Sequence, residues 1–167
     1  MKILVSLICC FLAGYINQSE LTVQEIRSLF YAAEKSKNSF YKLSGAMKDV
    51  TIKSTPVMVC YKGVTEMMGA KYTISPFGKM NHFKKGKRYI EQAVEMDPKS
   101  MEIRFLRFSI QTNLPGFLGY DEDIEADKKF LLSGVHSITD KDLKYKMIQY
   151  LSSTKYCTAE EKKSIAK

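Results

Sequence analysis

Apolar residues recur three and four positions apart through most of the chain, the spacing of a helix face rather than the alternation of a strand. Thr22 with Glu25 three residues on is a capping box, and Val23, Ile26, Leu29, Phe30 and Ala33 follow at helical spacing, predicting a first helix over residues 23–35. Residues 36–39 break the pattern, and Phe40, Leu43 and Met47 mark a second helix ending near Asp49. Thr55-Pro56 and Ser75-Pro76 each place a capping hydroxyl before a proline at the first helical position. They open a third helix over residues 57–71 and a fourth that continues through Phe83 to Met96. The third carries Val57, Cys60, Val64, Met67 and Met68 on one face, with Gly63, Gly69 and Ala70 small enough to let a neighbour approach closely.

Residues 86–120 form the stretch around which the rest is organised. Gly86, Ile90 and Ala93 line one face of the fourth helix; Pro98 then forbids continuation and pushes Asp97 out of the helical region. Ser100 is the next N-cap. From 101 to 112 the residues Met101, Ile103, Phe105, Leu106, Phe108 and Ile110 lie nearly all round a fifth helix, leaving only a narrow stripe of Arg104, Arg107 and Gln111 to face water. Arginines beside so much apolar surface need partners: acids of the next helix, loop carbonyls, or a bound anion or peptide carboxylate.

Residues 114–119 hold one proline and two glycines and predict a loop, with Phe117 and Leu118 tucked back onto the core. Asp121 is expected to cap a sixth helix, with Glu122 and Asp123 at its positive end and Ile124, Leu131 and Val135 facing inward. Thr139 with Asp142 starts a seventh, with Leu143, Met147, Tyr150 and Leu151 inward. Thr158 with Glu161 opens a short polar helix at a frayed end. The one β-branched run, residues 57–61, sits behind a proline cap and reads as helix.

About seven helices joined by short turns give an all-α protein, as antiparallel hairpins in a small superhelix or as a compact helical bundle. The spacing Gly86-x3-Ile90-x2-Ala93-x4-Pro98 resembles the second helix of a tetratricopeptide repeat, although that family's first-helix signature is absent beside it. The strings PFGKMNHFKKGK and EIRFLRFSIQTNLPGFLGY also resemble small uncharacterised secreted bacterial proteins of helical-repeat character. This second resemblance covers about residues 56–130 and implies a fold and an exported location, without an activity.

The 167 residues suffice for one domain with a real core, and 45% hydrophobic with 26% charged residues exclude a disordered chain. Residues 1–19 stand apart. Lys2 precedes an apolar run over residues 3–13, too short to span a bilayer but suited to a signal peptide. The expectation is a signal peptide at 1–19, a single helical domain at 20–167, and a periplasmic or extracellular location. No later apolar stretch reaches membrane-spanning length. Cys60 and Cys157 then remain, either as buried thiols or as one disulfide.

A net charge of +8 is concentrated at Lys79, Lys84, Lys85, Lys87 and Arg88, with Glu91 placed to offset Lys87 and Arg88 on the same helix. Export argues against nucleic acid and leaves anionic lipid, polysaccharide or an acidic partner. Asp121, Asp123 and Glu125 begin like a calcium loop, but Ala126 and Leu132 stand where the turn glycine and bidentate glutamate are required. His82 and His136 have no metal-ligand companions at the needed spacing, and no Gly-x-Ser-x-Gly elbow or phosphate loop occurs.

With no catalytic, cofactor or metal motif, the expected function is a non-catalytic interaction or scaffold module. It would bind a partner protein or peptide through a concave helical face, with Arg104, Arg107 and Gln111 as candidate binding residues. The alternative is an envelope-associated binder of anionic lipid or glycan through Lys84, Lys85, Lys87 and Arg88. A third reading, a hydrolase holding a substrate carboxylate on Arg104 and Arg107, needs a catalytic group beside them.

Overall fold

The computed structural model describes residues 21–166. The expected signal segment at 1–19, with Cys9 and Cys10, lies outside them. Eight α-helices follow in order: α1 (Val23–Lys35), α2 (Lys37–Ala46), α3 (Pro56–Gly69), α4 (Pro76–Met96), α5 (Met101–Asn113), α6 (Ile124–Gly134), α7 (Lys141–Ser153) and α8 (Ala159–Ile165). Short 3-10 turns lie at Ala70–Tyr72, Gly116–Leu118 and Val135–Ser137, and no strand occurs among the described residues. The all-α class read from the periodicity is the class the chain adopts.

The capping boxes at Thr22/Glu25 and Thr158/Glu161 both form. Ser75 and Ser100 cap α4 and α5 by accepting from the Gly78 and Ile103 amides. Helix α3 ends at Gly69 rather than residue 71, and the Thr55 hydroxyl before it makes no capping bond; three further boundaries differ from expectation. The break between α1 and α2 is one residue, because Ser36 ends α1 and also caps α2 through its hydroxyl. The N-cap of α6 is Asp123 rather than Asp121, and its carboxylate makes no capping bond because Arg107 holds it. The N-cap of α7 is Asp140 rather than Thr139: its Oδ1 accepts from the Leu143 amide at 3.1 Å.

The odd-numbered helices run parallel. Arg27 near the start of α1, Tyr61 in the first half of α3, Glu102 at the start of α5 and Asp140 before α7 all meet at one point. The even helices return between them. In α4, Gly86 and Ile90 lie against Gly63 while His82 lies against Gly69, so α4 is antiparallel to α3. In α6, Asp127 meets Arg107 and Gly134 meets Met101, so α6 is antiparallel to α5. The turns α1–α2, α3–α4 and α5–α6 therefore share one end of the molecule, where Tyr41 and Tyr72 bring their rings to 6.3 Å and Phe83 meets Tyr120 at 6.1 Å.

The closest approach is α3 on α4. A Cβ at Gly63 would stand 2.9 Å from the Gly86 carbonyl oxygen, and one at Gly86 would stand 2.7 Å from that of Gly63. The two backbones touch there, so both positions require glycine for space rather than for dihedral freedom.

The core has two clusters. Ile26, Phe30, Leu43, Val59, Val64 and Ile90 centre the first, and Phe108, Leu131, Val135, Met147, Leu151 and Ile165 the second. Helix α5 belongs to both, giving Ile103 and Leu106 to the first and Phe105 and Phe108 to the second. This shared wall is the physical reason for its nearly all-round apolar pattern. Ile165 is 2% exposed, so α8 is pinned to the core rather than frayed. Phe117 is 86% exposed and does not fold back, because the 3-10 turn at Gly116–Leu118 aims it outward; Leu118 is half-buried.

Candidate functional site

Arg104 and Arg107 find the first of their expected partners, an acid of the next helix, and the stripe they form with Gln111 is turned from water. They face α6 and the turn after α5, which the sequence could not position. Arg107 is buried, with Nε and Nη2 donating to the two oxygens of Asp127 at 2.8 and 2.9 Å. Its Nη1 donates to Glu91 at 2.8 Å and lies 3.0 Å from Asp123. Burial alone would lower the Arg107 pKa, but the surrounding carboxylates outweigh it and raise it, so the side chain stays charged. Arg104 pairs through Nε with the same fully buried Asp127 and stacks over Phe130 at 5.0 Å. The chain's own acids occupy the place a substrate carboxylate would take.

Glu91 faces inward to Arg107, and its second oxygen accepts from the Tyr120 hydroxyl. It therefore does not offset Lys87 and Arg88 as the helical spacing suggested. Burial, followed by that bond to Glu91, pushes the Tyr120 phenol well above its ordinary range.

Gln111, unlike Arg104 and Arg107, faces no acid. It is 2% exposed, and neither its amide nitrogen nor its amide oxygen has a hydrogen-bond partner in the protein. It lines a cleft of about 740 Å³ between the ends of α5 and α7. Thr112, Asn113 and Tyr150 also line it, but they bond one another: both Thr112 Oγ1 and Asn113 Nδ2 lie 2.6 Å from the Tyr150 hydroxyl. Asp121 and Lys155 are exposed lining residues of opposite charge. A buried amide left without partners costs about 1–3 kcal/mol, so this one stands out against the paired polar groups around it.

The basic cluster on α4 divides. Lys85 reaches Glu66 of α3 at 2.7 Å, where Lys62 at 3.6 Å and His82 at 3.4 Å also converge. Lys87 turns the other way and lies over the Tyr120 ring at 4.7 Å. Arg88 stacks on Tyr89 at 5.7 Å, while Lys79 and Lys84 are exposed. Lys84, Lys85 and Arg88 are exposed, and Lys87 alone of the four is half-buried, against Tyr120.

A second ionic cluster gave no sequence signal. Arg27, 2% exposed, donates to both oxygens of Glu102 at 2.8 and 3.0 Å and to Asp140 at 3.0 Å; Asp142 lies 3.3 Å away. Tyr61 donates to Glu102 at 2.6 Å. The bonded pairs are 41 to 115 positions apart, so no local spacing could join them.

Cys60 and Cys157 are free and buried in different core clusters, which removes the disulfide alternative. Among the described residues no group of three His, Cys, Asp or Glu side chains is arranged to hold a metal ion. His82 stands by Glu66, and His136 approaches the Ser164 carbonyl oxygen at 3.4 Å. No helix of the described residues is long and apolar enough to cross a membrane. No family model, no curated protein and no solved structure matches the chain.

Proposed function

We propose that the protein is a non-catalytic, exported interaction module that takes an extended peptide segment into the cleft floored by Gln111. The observation that carries this reading is the Gln111 amide, buried beneath the cleft lining with neither donor nor acceptor paired, which a ligand reaches only when that lining parts. A carboxamide offers an N–H donor beside a C=O acceptor, the complement of a peptide group offering the same pair in reverse. The cleft volume lies within the range of ligand sites, and its partly polar, aromatic lining suits a main chain with a polar flank. Lys155 and Asp121 give the rim one charge of each sign, fitting a ligand that is itself of mixed charge. The parallel odd helices with even helices returning between them support the tetratricopeptide-like reading, in which hairpins present a surface to a peptide.

The test is selection of random peptides on the folded protein, with Gln111→Met as the counter-selecting bait, followed by calorimetry on the peptides recovered. Loss of a buried amide pair should weaken binding about tenfold or more, whereas Lys84→Ala on α4 should leave it unchanged. Peptides that bind both baits equally, or none at all, would overturn the proposal.

A further inference from the structure

The turn between α3 and α4 carries two of the most exposed large apolar side chains of the described residues. Ile74 is 96% exposed and Phe77 85%, with Met80 at 38% one turn further along α4. The turn is well held. The Thr73 hydroxyl donates to the Gly69 carbonyl at 3.0 Å, Ser75 caps the helix, and Pro76 fixes its first residue. Gly78 lies so close to Thr73 that a Cβ there would stand 2.5 Å from its methyl group. Ile74 and Phe77 are therefore presented outward by rigid backbone rather than by a loose loop.

Their surroundings are basic and aromatic. Residues 67–90 contain six Lys or Arg and no Asp or Glu. Lys71 lies over the Tyr72 ring at 5.8 Å, and Lys37 lies 5.8 and 5.9 Å from the Tyr41 and Tyr72 rings. Lys79 is exposed one turn along from Pro76. Of the acids on packed elements, Glu66 is engaged by Lys85, Lys62 and His82, and Glu34 on α1 feels the positive charge of Lys71.

We infer that this tip seats the protein on an anionic phospholipid bilayer, with Ile74 and Phe77 entering the boundary between headgroups and acyl chains. Lys71, Lys79 and Lys37 then lie at phosphate level, and Tyr41 and Tyr72 occupy the interfacial layer where amphipathic rings are favoured. Charge complementarity selects the occupant. A convex apolar point ringed by lysines fits a deformable anionic surface better than a protein groove, which would have to enclose the point and the ring together. Phe117 is exposed at the same end but is followed by Asp121 and Glu122, carboxylates that an anionic surface repels. The molecule therefore meets the bilayer with its α3–α4 corner, a surface separate from the Gln111 cleft and independent of it.

The chain contains no tryptophan, so one introduced residue reports its own position. In the full chain, Phe77→Trp should shift its emission to the blue on adding vesicles of equimolar phosphatidylglycerol and phosphatidylcholine, and lipids with brominated acyl chains should quench it. Ile52→Trp, in the loop between α2 and α3 at the opposite end, should do neither, which separates tip insertion from any anchoring by residues 1–19. Ile74→Ser combined with Phe77→Ser should lower vesicle partition about tenfold or more with the helix content unchanged. Gln111→Met should leave the Phe77→Trp shift intact. No shift at position 77, an equal shift at position 52, or an equal response to pure phosphatidylcholine would overturn the inference.

Discussion

Arg27 and Glu102 form a bidentate ion pair, at 2.8 and 3.0 Å, across 75 residues of sequence. The pair joins α1 to α5, and through Tyr61 and Asp140 it also reaches α3 and α7. Arg107 repeats the arrangement between α4, α5 and α6, with Asp127 as the bidentate acid and Glu91 receiving the Tyr120 hydroxyl. Arg27 and Arg107 each face three carboxylates, with Arg104 sharing Asp127 in the second cluster, and in each a tyrosine hydroxyl donates to one of the acids.

Removing the cation should therefore cost more than removing a neutral bond. Arg27→Met leaves Glu102, Asp140 and Asp142 together without compensation and should destabilise the fold by about 3–5 kcal/mol in urea unfolding. Adding Glu102→Leu to that variant should recover part of the loss. Tyr61→Phe should cost about 1.5–3 kcal/mol, the size of a bond to a charged group.

Asp140 of the first cluster and Glu66 of α3 contribute to the acid response. The Leu143 backbone amide, and then Arg27, hold the Asp140 carboxyl below its ordinary value. For Glu66, burial acts upward, but Lys85, Lys62 and His82 outweigh it and lower its pKa. Folded values below unfolded ones mean that the unfolded chain binds more protons, so this stability is complete above the ordinary carboxylate range and lost as pH falls through the depressed values. The urea midpoint should hold between neutrality and about pH 5, then fall below about pH 4. Asp140→Asn should flatten that fall; an unchanged profile in the variant would contradict the assignment.

Glycine substitutions separate contact from conformation. Gly86→Ala and Gly63→Ala each drive a methyl against the facing backbone and should cost about 1–3 kcal/mol or more. Gly45→Ala, in α2 with open space around its Cβ, should stabilise by up to about 1 kcal/mol by stiffening the unfolded chain. Thermal or urea midpoints should lie above that of the unaltered protein for Gly45→Ala and below it for the other two.

Burial raises the thiol pKa of both Cys60 and Cys157, and neither thiol is exposed. A chain beginning at residue 21 should show no fast-reacting thiol when folded and two after unfolding. Oxidising conditions should not yield a bond between these two cysteines.

Local features were legible in the sequence because their causes are local. The Thr22 and Thr158 capping boxes, the Ser-Pro start of α4 and the Pro98 stop act within four residues. The all-round apolar face of α5 foretold a central, buried helix, though not the division of the core into two clusters. Gly63, Gly69 and Gly86 were legible as points of close approach, since nothing but proximity explains three glycines in or at the end of a helix. The ionic clusters were not legible, because the carboxylates that meet Arg27 come from α5 and the start of α7. Asp121 and Thr139 were each plausible caps on spacing alone, and long-range pairing to Arg107 and Arg27 settled the acids elsewhere. The Gln111 cleft was half legible: the stripe named the residue, while the unpaired state of its amide depends on a turn and a helix far along the chain.

The most direct measurement is the stability of Gln111→Met against the unaltered protein, in urea and without ligand. If the amide is held buried and unpaired for a ligand to complete, the apolar isostere should raise stability by about 1–3 kcal/mol while abolishing peptide binding. A less stable Gln111→Met would mean that the amide already has its partners within the folded protein, and the binding role assigned to the cleft would fall.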